Sequence, residues 1–179
     1  GFSSPSCVLW GAIDWDGCIW IYRELYQTRL TAEELAGVIL ELEAFDPNMY
    51  VSVLDKSCWN KTGLGKSIAQ TMIERGLRWL PSNSDRMQGK QEVHRRLLMD
   101  SYGQSRLKIF NTCTNLIRTL PSLPMSKTNS EDVDTKAEDH AYDALRYMFM
   151  NQQSTRPSSV PFGMTHLNKP VIQDEVFGY

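Results

Sequence analysis

Residues 7–26, CVLWGAIDWDGCIWIYRELY, contain two runs of β-branched and aromatic residues separated by the tetrapeptide DWDG at 14–17. Asp-Gly between such runs indicates a β-hairpin, because glycine adopts the positive φ that a tight turn requires. The sequence therefore predicts strands over 7–13 and 18–26. The two aspartates of the tetrapeptide are interpreted as turn residues rather than as catalytic groups.

Beyond the hairpin, helical and strand patterns alternate. Thr31 and Glu34 form a capping box that opens a helix, and Asp46-Pro47 breaks that helix. The remaining periodicity predicts strands over 49–54, 77–80 and 107–110, and helices over 31–44, 66–74, 85–99, 114–120 and 136–150. This order indicates an α/β domain with a mixed β-sheet flanked by helices.

The length of 179 residues fits one globular domain. We assign it to residues 1–150, and the Ser-, Pro- and Gln-rich residues 151–179 are expected to form an extended or disordered tail. No apolar run approaches the roughly 18 residues that span a bilayer, so no membrane partner is expected. The four cysteines lack CxxC spacing and suggest neither a zinc site nor a disulfide framework. A reducing compartment is therefore expected. The chain begins with Gly1 rather than Met, so it is expected to be a piece of a longer protein. This piece is expected to be a monomer when isolated.

The net charge of −2 conceals an asymmetry. Residues 56–118 contain twelve Lys or Arg and four Asp or Glu, a local balance of +8, so the rest of the chain carries −10. A basic middle can hold a polyanion, because physiological salt screens charges only beyond about 8 Å. An ordinary solvated basic surface is the alternative, and charge alone does not separate the two.

The stretch 138–147, EDHAYDALRY, places Asp139 and Asp143 four residues apart at the start of a predicted helix. Residues i and i+4 share a helix face, and two carboxylates held so close repel each other unless a cation or a proton lies between them. Asp55 ends the predicted strand 49–54. An acid at a strand end and an acid pair at a helix start predict a site for a hard metal ion, Mg²⁺ or Mn²⁺ rather than zinc.

Each of these acids has a structural alternative. Asp55 could cap the turn that follows its strand, and Asp139 could favour the positive end of its helix. Asp143 could pair with Arg146 or Arg118 instead of a metal. A fourth acid, Glu24 at the end of the second strand, is expected to form a structural ion pair with Arg23 or Arg29.

Residues 60–67, NKTGLGKS, nearly match a phosphate-binding P-loop. That motif requires glycine at its first position, where this chain has Asn60. A helix N-terminus with Lys66 and Ser67 could instead meet a DNA phosphate, and a plain loop is the remaining alternative. A P-loop nucleotidase is therefore the least favoured function.

Taken in order, several segments resemble the nuclease domain of bacteriophage large terminase subunits, the motors that package viral DNA. The similarity covers residues 1–150 and rests on Gly1–Pro5, on Asp16-Gly17 with Ile19–Tyr26, on Leu54-Asp55, on Asp85-Arg86 with Gly89, on Glu131–Thr135, and on Glu138–His140 with Tyr142–Tyr147. The resemblance implies an RNase H-like fold and a two-metal endonuclease. It assigns Asp55, Asp139 and Asp143 as metal-binding, catalytic residues.

The resemblance also implies the biological setting. The expected substrate is concatemeric double-stranded DNA, cut at the initiation and completion of packaging in the host cytoplasm. An upstream ATPase domain, a small terminase subunit and a portal are the implied partners. The residues expected to contact DNA phosphates are Lys61, Lys66, Arg86 and Lys90.

The chain departs from the family pattern in one respect. The family's first metal-binding Asp precedes text like Gly1–Pro5, so it is expected to lie upstream of Gly1. Asp14 is a poor substitute, because it falls in the hairpin turn at the far end of the strand. Residues 1–179 alone are therefore expected to be weakly active or inactive. A DNA-gripping or portal-docking module without catalysis is the alternative function.

Overall fold

The computed structural model describes residues 3–46, 52–61, 65–124, 133–134 and 137–152. Its strands are β1 Ser6–Ile13, β2 Ile19–Gln27, β3 Val53–Leu54, β4 Leu80–Pro81 and β5 Leu107–Ile109. Its helices are α1 Ala32–Glu43, α2 Ile68–Glu74, α3 Arg86–Leu97, α4 Thr114–Thr119 and α5 His140–Gln152, with 3₁₀ turns at Lys56–Trp59 and Leu120–Ser122. In this part of the chain no helix is long and apolar enough to cross a bilayer.

The predicted hairpin is present, with β1 and β2 antiparallel. Asp14 holds the turn: its Oδ1 accepts the N–H groups of Asp16 and Cys18, and its Oδ2 accepts the indole N–H of Trp20. Gly17 has a φ of 78°, a left-handed conformation that glycine adopts without steric cost. The interpretation of Asp14 as a turn residue is consistent with these contacts.

The sheet is mixed, as predicted. β5 runs parallel to β2 and completes a three-stranded sheet in the order β1-β2-β5, while β3 and β4 pair in parallel as a second unit. Residues 49–51 of the predicted strand 49–54 lie outside the described residues. The strand predicted over 77–80 is observed at Leu80–Pro81 instead, and the N–H of Leu77 is used at the end of α2, where it donates to the carbonyl of Met72 at 3.3 Å.

Different helices cover the two faces of the hairpin sheet. On one face, Ile19 and Ile21 pack with residues of α3, α4 and α5. On the other, Trp10 packs with residues of α1 and α2. A Cβ added at Gly11 would lie 2.8 Å from Sδ of Met148. The absence of a side chain at residue 11 therefore lets α5 pack closely against β1. This close crossing fixes α5, the helix with the acid pair, against the sheet.

The predicted helix starts are largely confirmed. The Thr31–Glu34 capping box is present, and the side chains of Ser67 and Asp85 cap α2 and α3. The prediction that Glu24 forms an ion pair with Arg23 or Arg29 is wrong. Its carboxylate accepts the N–H groups of Asn115 and Leu116 and so supplies the N-terminal cap of α4 that Cys113 does not.

The last helix starts later than predicted and ends within two residues of its predicted end. α5 begins at His140 rather than near residue 136, and it continues through Gln152 rather than ending at 150. In the described part of the preceding chain, Val133 is buried, the Asp134 N–H donates to the carbonyl of Pro124, and the Asp134 carbonyl accepts the N–H of Ala137. Of the tail predicted over 151–179, residues 151–152 end α5 and residues 153–179 lie outside the described residues.

Candidate active site

The acid pair lies where α5 begins. Asp139 directly precedes the helix, and its carbonyl accepts the N–H of Asp143 at 2.8 Å, so it occupies the N-cap position. Its side chain is buried at 8% exposure. Burial raises the pKa of Asp139, Asp143 raises it further, and His140 and Arg86 oppose this rise. The carboxylates of Asp139 and Asp143 therefore repel each other at the start of α5, as their spacing predicted.

Asp55 reaches the same helix from the sheet. Its Oδ1 accepts the N–H of Ser57 at 2.8 Å and caps the 3₁₀ turn Lys56–Trp59, while its Oδ2 accepts the hydroxyl of Tyr147 at 3.1 Å. Tyr147 follows Asp143 by four residues and therefore lies on the same side of α5. The acid at the end of β3 thus meets the face of α5 that carries the other two acids.

The phenol of Tyr147 lies in a negatively charged environment. Burial raises its pKa well above the usual range, and Asp143 and Asp55 raise it further. Since a raised phenol pKa means that the proton is held more tightly, Tyr147 remains a hydrogen-bond donor at neutral pH.

A buried guanidinium neutralises part of the acid pair. Arg146 is only 1% exposed, and its Nη2 and Nε donate to Oδ1 of Asp143 at 2.9 and 3.2 Å. Its Nη1 donates to the carbonyl of Asp85 at 3.4 Å, and its guanidinium lies 4.6 Å from the ring centroid of Tyr147. The alternative in which Asp143 pairs with Arg146 is therefore observed.

The space for Arg146 is made by a glycine in the neighbouring helix. A Cβ added at Gly89 of α3 would overlap Cγ of Arg146 and lie 2.6 Å from its Cδ. α3 and α5 can therefore hold the arginine stem between them only because residue 89 has no side chain. Sequence reasoning found Gly89 only as part of a resemblance, and its helical position gave no hint of the partner.

The residues predicted to contact DNA lie in different settings. Arg86 is near the acids, with Nη1 3.9 Å from Oδ1 of Asp143, and Lys90 is one turn further along α3. Lys61 is exposed. Lys66 is exposed as well but pairs with Glu74 on the surface. Their roles in DNA binding stay predictions.

The near-P-loop gains no support from these contacts. Oγ of Ser67 accepts the N–H of Gln70 and is thereby used to cap α2, and Lys66 pairs with Glu74. Residues 62–64 lie outside the described residues. Calorimetry with ATP and Mg²⁺ is the direct test, and absence of binding would end the nucleotidase hypothesis.

A surface cluster ties the entry of α5 to the rest of the domain. Glu138 accepts two hydrogen bonds from Arg118 and one from the hydroxyl of Tyr26, at 2.6 to 2.7 Å. Arg118 pairs with Glu138 and not with Asp143, so that alternative is not observed. The Arg118 guanidinium and the Tyr26 hydroxyl lower the pKa of Glu138 to about 2.

Replacing Arg118 by methionine is expected to lower the melting temperature by a few degrees at pH 7. Because the pKa of Glu138 is lowered in the folded state, its pairing stabilises the fold above the ordinary glutamate pKa, and this stabilisation is lost as pH falls toward 2. Thermal denaturation from pH 7 to pH 2.5 should therefore show the difference between variant and parent shrinking. A difference that is constant with pH would contradict the assignment to this pair.

The donor chemistry of the three acids fits a hard divalent cation, whose preferred ligands are carboxylate oxygens. The raised pKa of Asp139 beside Asp143 is the feature that a cation would relieve. Across the described ranges, however, no group of three or more His, Cys, Asp and Glu side chains is already arranged to hold a metal ion. Ligation by all three acids would require them to draw together, so their metal-binding role stays a prediction.

The fold is similar to solved structures of phage terminases. The large terminase of a thermophilic bacteriophage has a TM-score of 0.67 and 15% sequence identity, over 83% of this chain and 36% of that one. The nuclease domain of the P22 large terminase has a TM-score of 0.65 and 20% identity, over 86% of this chain and 77% of that one. A structure of the thermophilic phage's large terminase in complex with ATP-γ-S has a TM-score of 0.65, 15% identity and coverages of 83% and 37%.

This chain thus spans little more than a third of the length of the thermophilic phage's terminase. No protein-family profile and no curated protein sequence matches it. The similarity is one of three-dimensional arrangement, and both the mixed sheet flanked by helices and the RNase H-like architecture expected from the sequence are confirmed. This chain has the fold of the nuclease domain of bacteriophage large terminases.

Proposed function

We propose that this chain is the metal-dependent DNA endonuclease domain of a viral genome-packaging terminase. One observation carries the proposal: within this fold, the Asp139–Asp143 pair at the start of α5 lies on the helix to which Tyr147 ties Asp55. Asp55 and the acid pair come from distant parts of the sequence, and a two-metal nuclease would require their carboxylates to draw together around the bound ions.

The three carboxylates would hold Mg²⁺ or Mn²⁺. Bound divalent ions would supply an activated water and stabilisation of the departing 3′ oxygen in phosphodiester hydrolysis. The chain's own contribution is to orient the acids. Asp55 is oriented by the Ser57 N–H and the Tyr147 hydroxyl, and Asp143 is oriented by the fork of Arg146.

Backbone phosphates of double-stranded DNA are the proposed ligands of Lys61, Lys66, Arg86 and Lys90. Phosphate contacts position a duplex but carry no sequence information of their own. This chemistry suits an enzyme that cuts concatemeric DNA at the initiation and the completion of packaging, wherever a full capsid requires it. Arg86, close to Asp143, is placed to act nearest the acids.

The setting follows from the same proposal. The whole protein would carry an ATPase domain upstream, as expected of a packaging motor, and one of the similar large terminase structures was solved in complex with ATP-γ-S. Its partners would be a small terminase subunit and a portal. The site of action would be the cytoplasm of the infected host.

The test is nicking of a supercoiled plasmid in Mn²⁺ or Mg²⁺. It uses residues 1–179 and, in parallel, a longer version that begins upstream of Gly1 and includes the predicted first Asp. We expect the longer version to nick in Mn²⁺, to stop in EDTA, and to exceed residues 1–179 in rate. The Asp139→Ala protein, purified in parallel, controls for contaminating nucleases. Cleavage that survives this substitution would show the site assignment to be wrong.

A second function is favoured by one observation. Arg146 binds Asp143, and Arg86 lies 3.9 Å from it, so the chain's own arginines neutralise part of the acidic charge. The chain could then grip DNA, or dock on a portal, without cutting. This alternative predicts DNA binding that weakens steeply with salt and no cleavage in any divalent cation. Absence of DNA affinity at low salt would remove the DNA-gripping version.

A further inference from the structure

The hydroxyl of Tyr147 is the one direct side-chain link observed, among the described residues, between Asp55 and α5. Asp139, Asp143 and Tyr147 follow one another at intervals of four residues and therefore lie along one side of the helix. The tyrosine thus extends the line of the two acids by one turn, and there it meets the third.

Asp55 is held at both oxygens. The backbone N–H of Ser57 donates to Oδ1 at 2.8 Å, and the Tyr147 hydroxyl donates to Oδ2 at 3.1 Å from the opposite element. The contact with Ser57 is local, because the two residues are two positions apart in the same turn, and it does not fix the position of that turn relative to α5. Only the second contact fixes the carboxylate with respect to the helix that carries Asp139 and Asp143.

Tyr147 is itself held in place. The guanidinium of Arg146 lies 4.6 Å from its ring centroid and donates to Asp143 at 2.9 Å. A cation over an aromatic face is attracted by the ring quadrupole. The two neighbouring residues therefore connect Asp143 to Asp55 through an arginine, an aromatic ring and a hydroxyl.

We propose that Tyr147 is a positioning residue for Asp55, whose hydroxyl orients that carboxylate toward the acid pair on α5. The inference rests on the proposed function, because the acids are its proposed metal ligands. Hydrogen-bond partners of metal ligands set ligand orientation, and losing one costs about 10–100-fold in metal affinity or activity. We expect a cost of this size at Tyr147.

The experiment uses Tyr147→Phe in the longer version described for the cleavage assay. Phenylalanine keeps the ring beneath Arg146 and removes only the hydroxyl. Mn²⁺ binding is followed by the electron paramagnetic resonance signal of free Mn²⁺, and nicking is measured as a function of Mn²⁺ concentration. We expect the dissociation constant and the half-saturating Mn²⁺ concentration to rise about 10–100-fold, with cleavage largely recovered at saturating Mn²⁺.

Tyr22→Phe is the matched control. It also removes a half-buried hydroxyl beside a carboxylate, that of Asp46, but on the opposite face of the sheet from α5. It should leave Mn²⁺ affinity unchanged. A purely structural role for Tyr147 predicts that both variants lose thermal stability alike and keep parental Mn²⁺ affinity, and that result would overturn the proposal.

The two proposals fail in different ways. If the parent binds Mn²⁺ and nicks DNA while Tyr147→Phe matches it in both assays, only the positioning role is lost. If the parent neither binds Mn²⁺ nor nicks DNA, the proposed nuclease function fails and the positioning role fails with it.

Discussion

Asparagine in place of Asp139 is expected to lower Mn²⁺-dependent cleavage by more than about 100-fold, beyond the loss typical of a residue that only supports a ligand. The same substitution is expected to raise the melting temperature of the metal-free protein. Burial and the neighbouring Asp143 both disfavour the ionised form of Asp139. Asparagine removes that charge, and it remains a favourable residue at the N-cap position.

The stability gain should depend on pH in a defined direction. The pKa of Asp139 is raised in the folded state, so its ionised form destabilises the fold at neutral pH. As pH falls through the raised pKa, the folded protein takes up a proton and the cost disappears. The difference in melting temperature between Asp139→Asn and its parent, measured in EDTA, should therefore shrink from pH 7 toward the ordinary pKa of aspartate.

Asp46→Asn is the matched control for this change. The Asp46 carboxylate faces a guanidinium, accepting from Arg23 at 2.6 and 3.1 Å, where Asp139 faces another acid. The identical chemical change should therefore lower the melting temperature and leave cleavage intact. If Asp139→Asn also lowered the metal-free melting temperature, the description of the acid pair as mutually repulsive would be wrong.

Gly89→Ala is expected to destabilise the domain, although glycine to alanine in a helix interior ordinarily stabilises. The added methyl would overlap Cγ of Arg146 and lie 2.6 Å from its Cδ. These atoms belong to the stem of a side chain whose far end is fixed on Asp143, so they cannot swing away freely. Overpacking of this kind costs about 1–3 kcal/mol, which outweighs a helix-propensity gain of about 1 kcal/mol or less.

Gly37→Ala in α1 provides the comparison, because a Cβ there would meet nothing within 4 Å. It should stabilise the domain by about 0.5–1 kcal/mol through helix propensity alone. Urea denaturation of both variants measures the two effects in one assay. Equal stabilisation by the two alanines would contradict the proposed fit between α3 and Arg146.

The elements whose causes are local could be predicted from the sequence. The Asp-Gly turn, the Thr31–Glu34 capping box and the helix signals at Ser67 and Asp85 all work over a few residues, and the structure contains each of them. Spacing alone also placed Asp139 and Asp143 one turn apart. Local hydrogen bonds and side-chain periodicity are sufficient for features of this kind.

The structure decided what depends on distant contacts. Glu24 caps α4 from 91 residues away, a partner that no nearby charge indicated. α5 starts only at His140, and before it the Asp134 N–H donates to the carbonyl of Pro124. Neither could be foreseen, since the strength of a local pattern does not show which distant backbone groups require a partner.

At the candidate site the same division holds. The sequence by itself determined which residue types and spacings are available: an acid after a strand and an acid pair on a helix. Only the tertiary structure decided that Tyr147 reaches Asp55 and that the stem of Arg146 lies against Gly89. The physical reason is that these contacts join segments 57 to 92 residues apart, whose approach is set by the packing of α3 and β3 against α5 and not by propensities within any one segment.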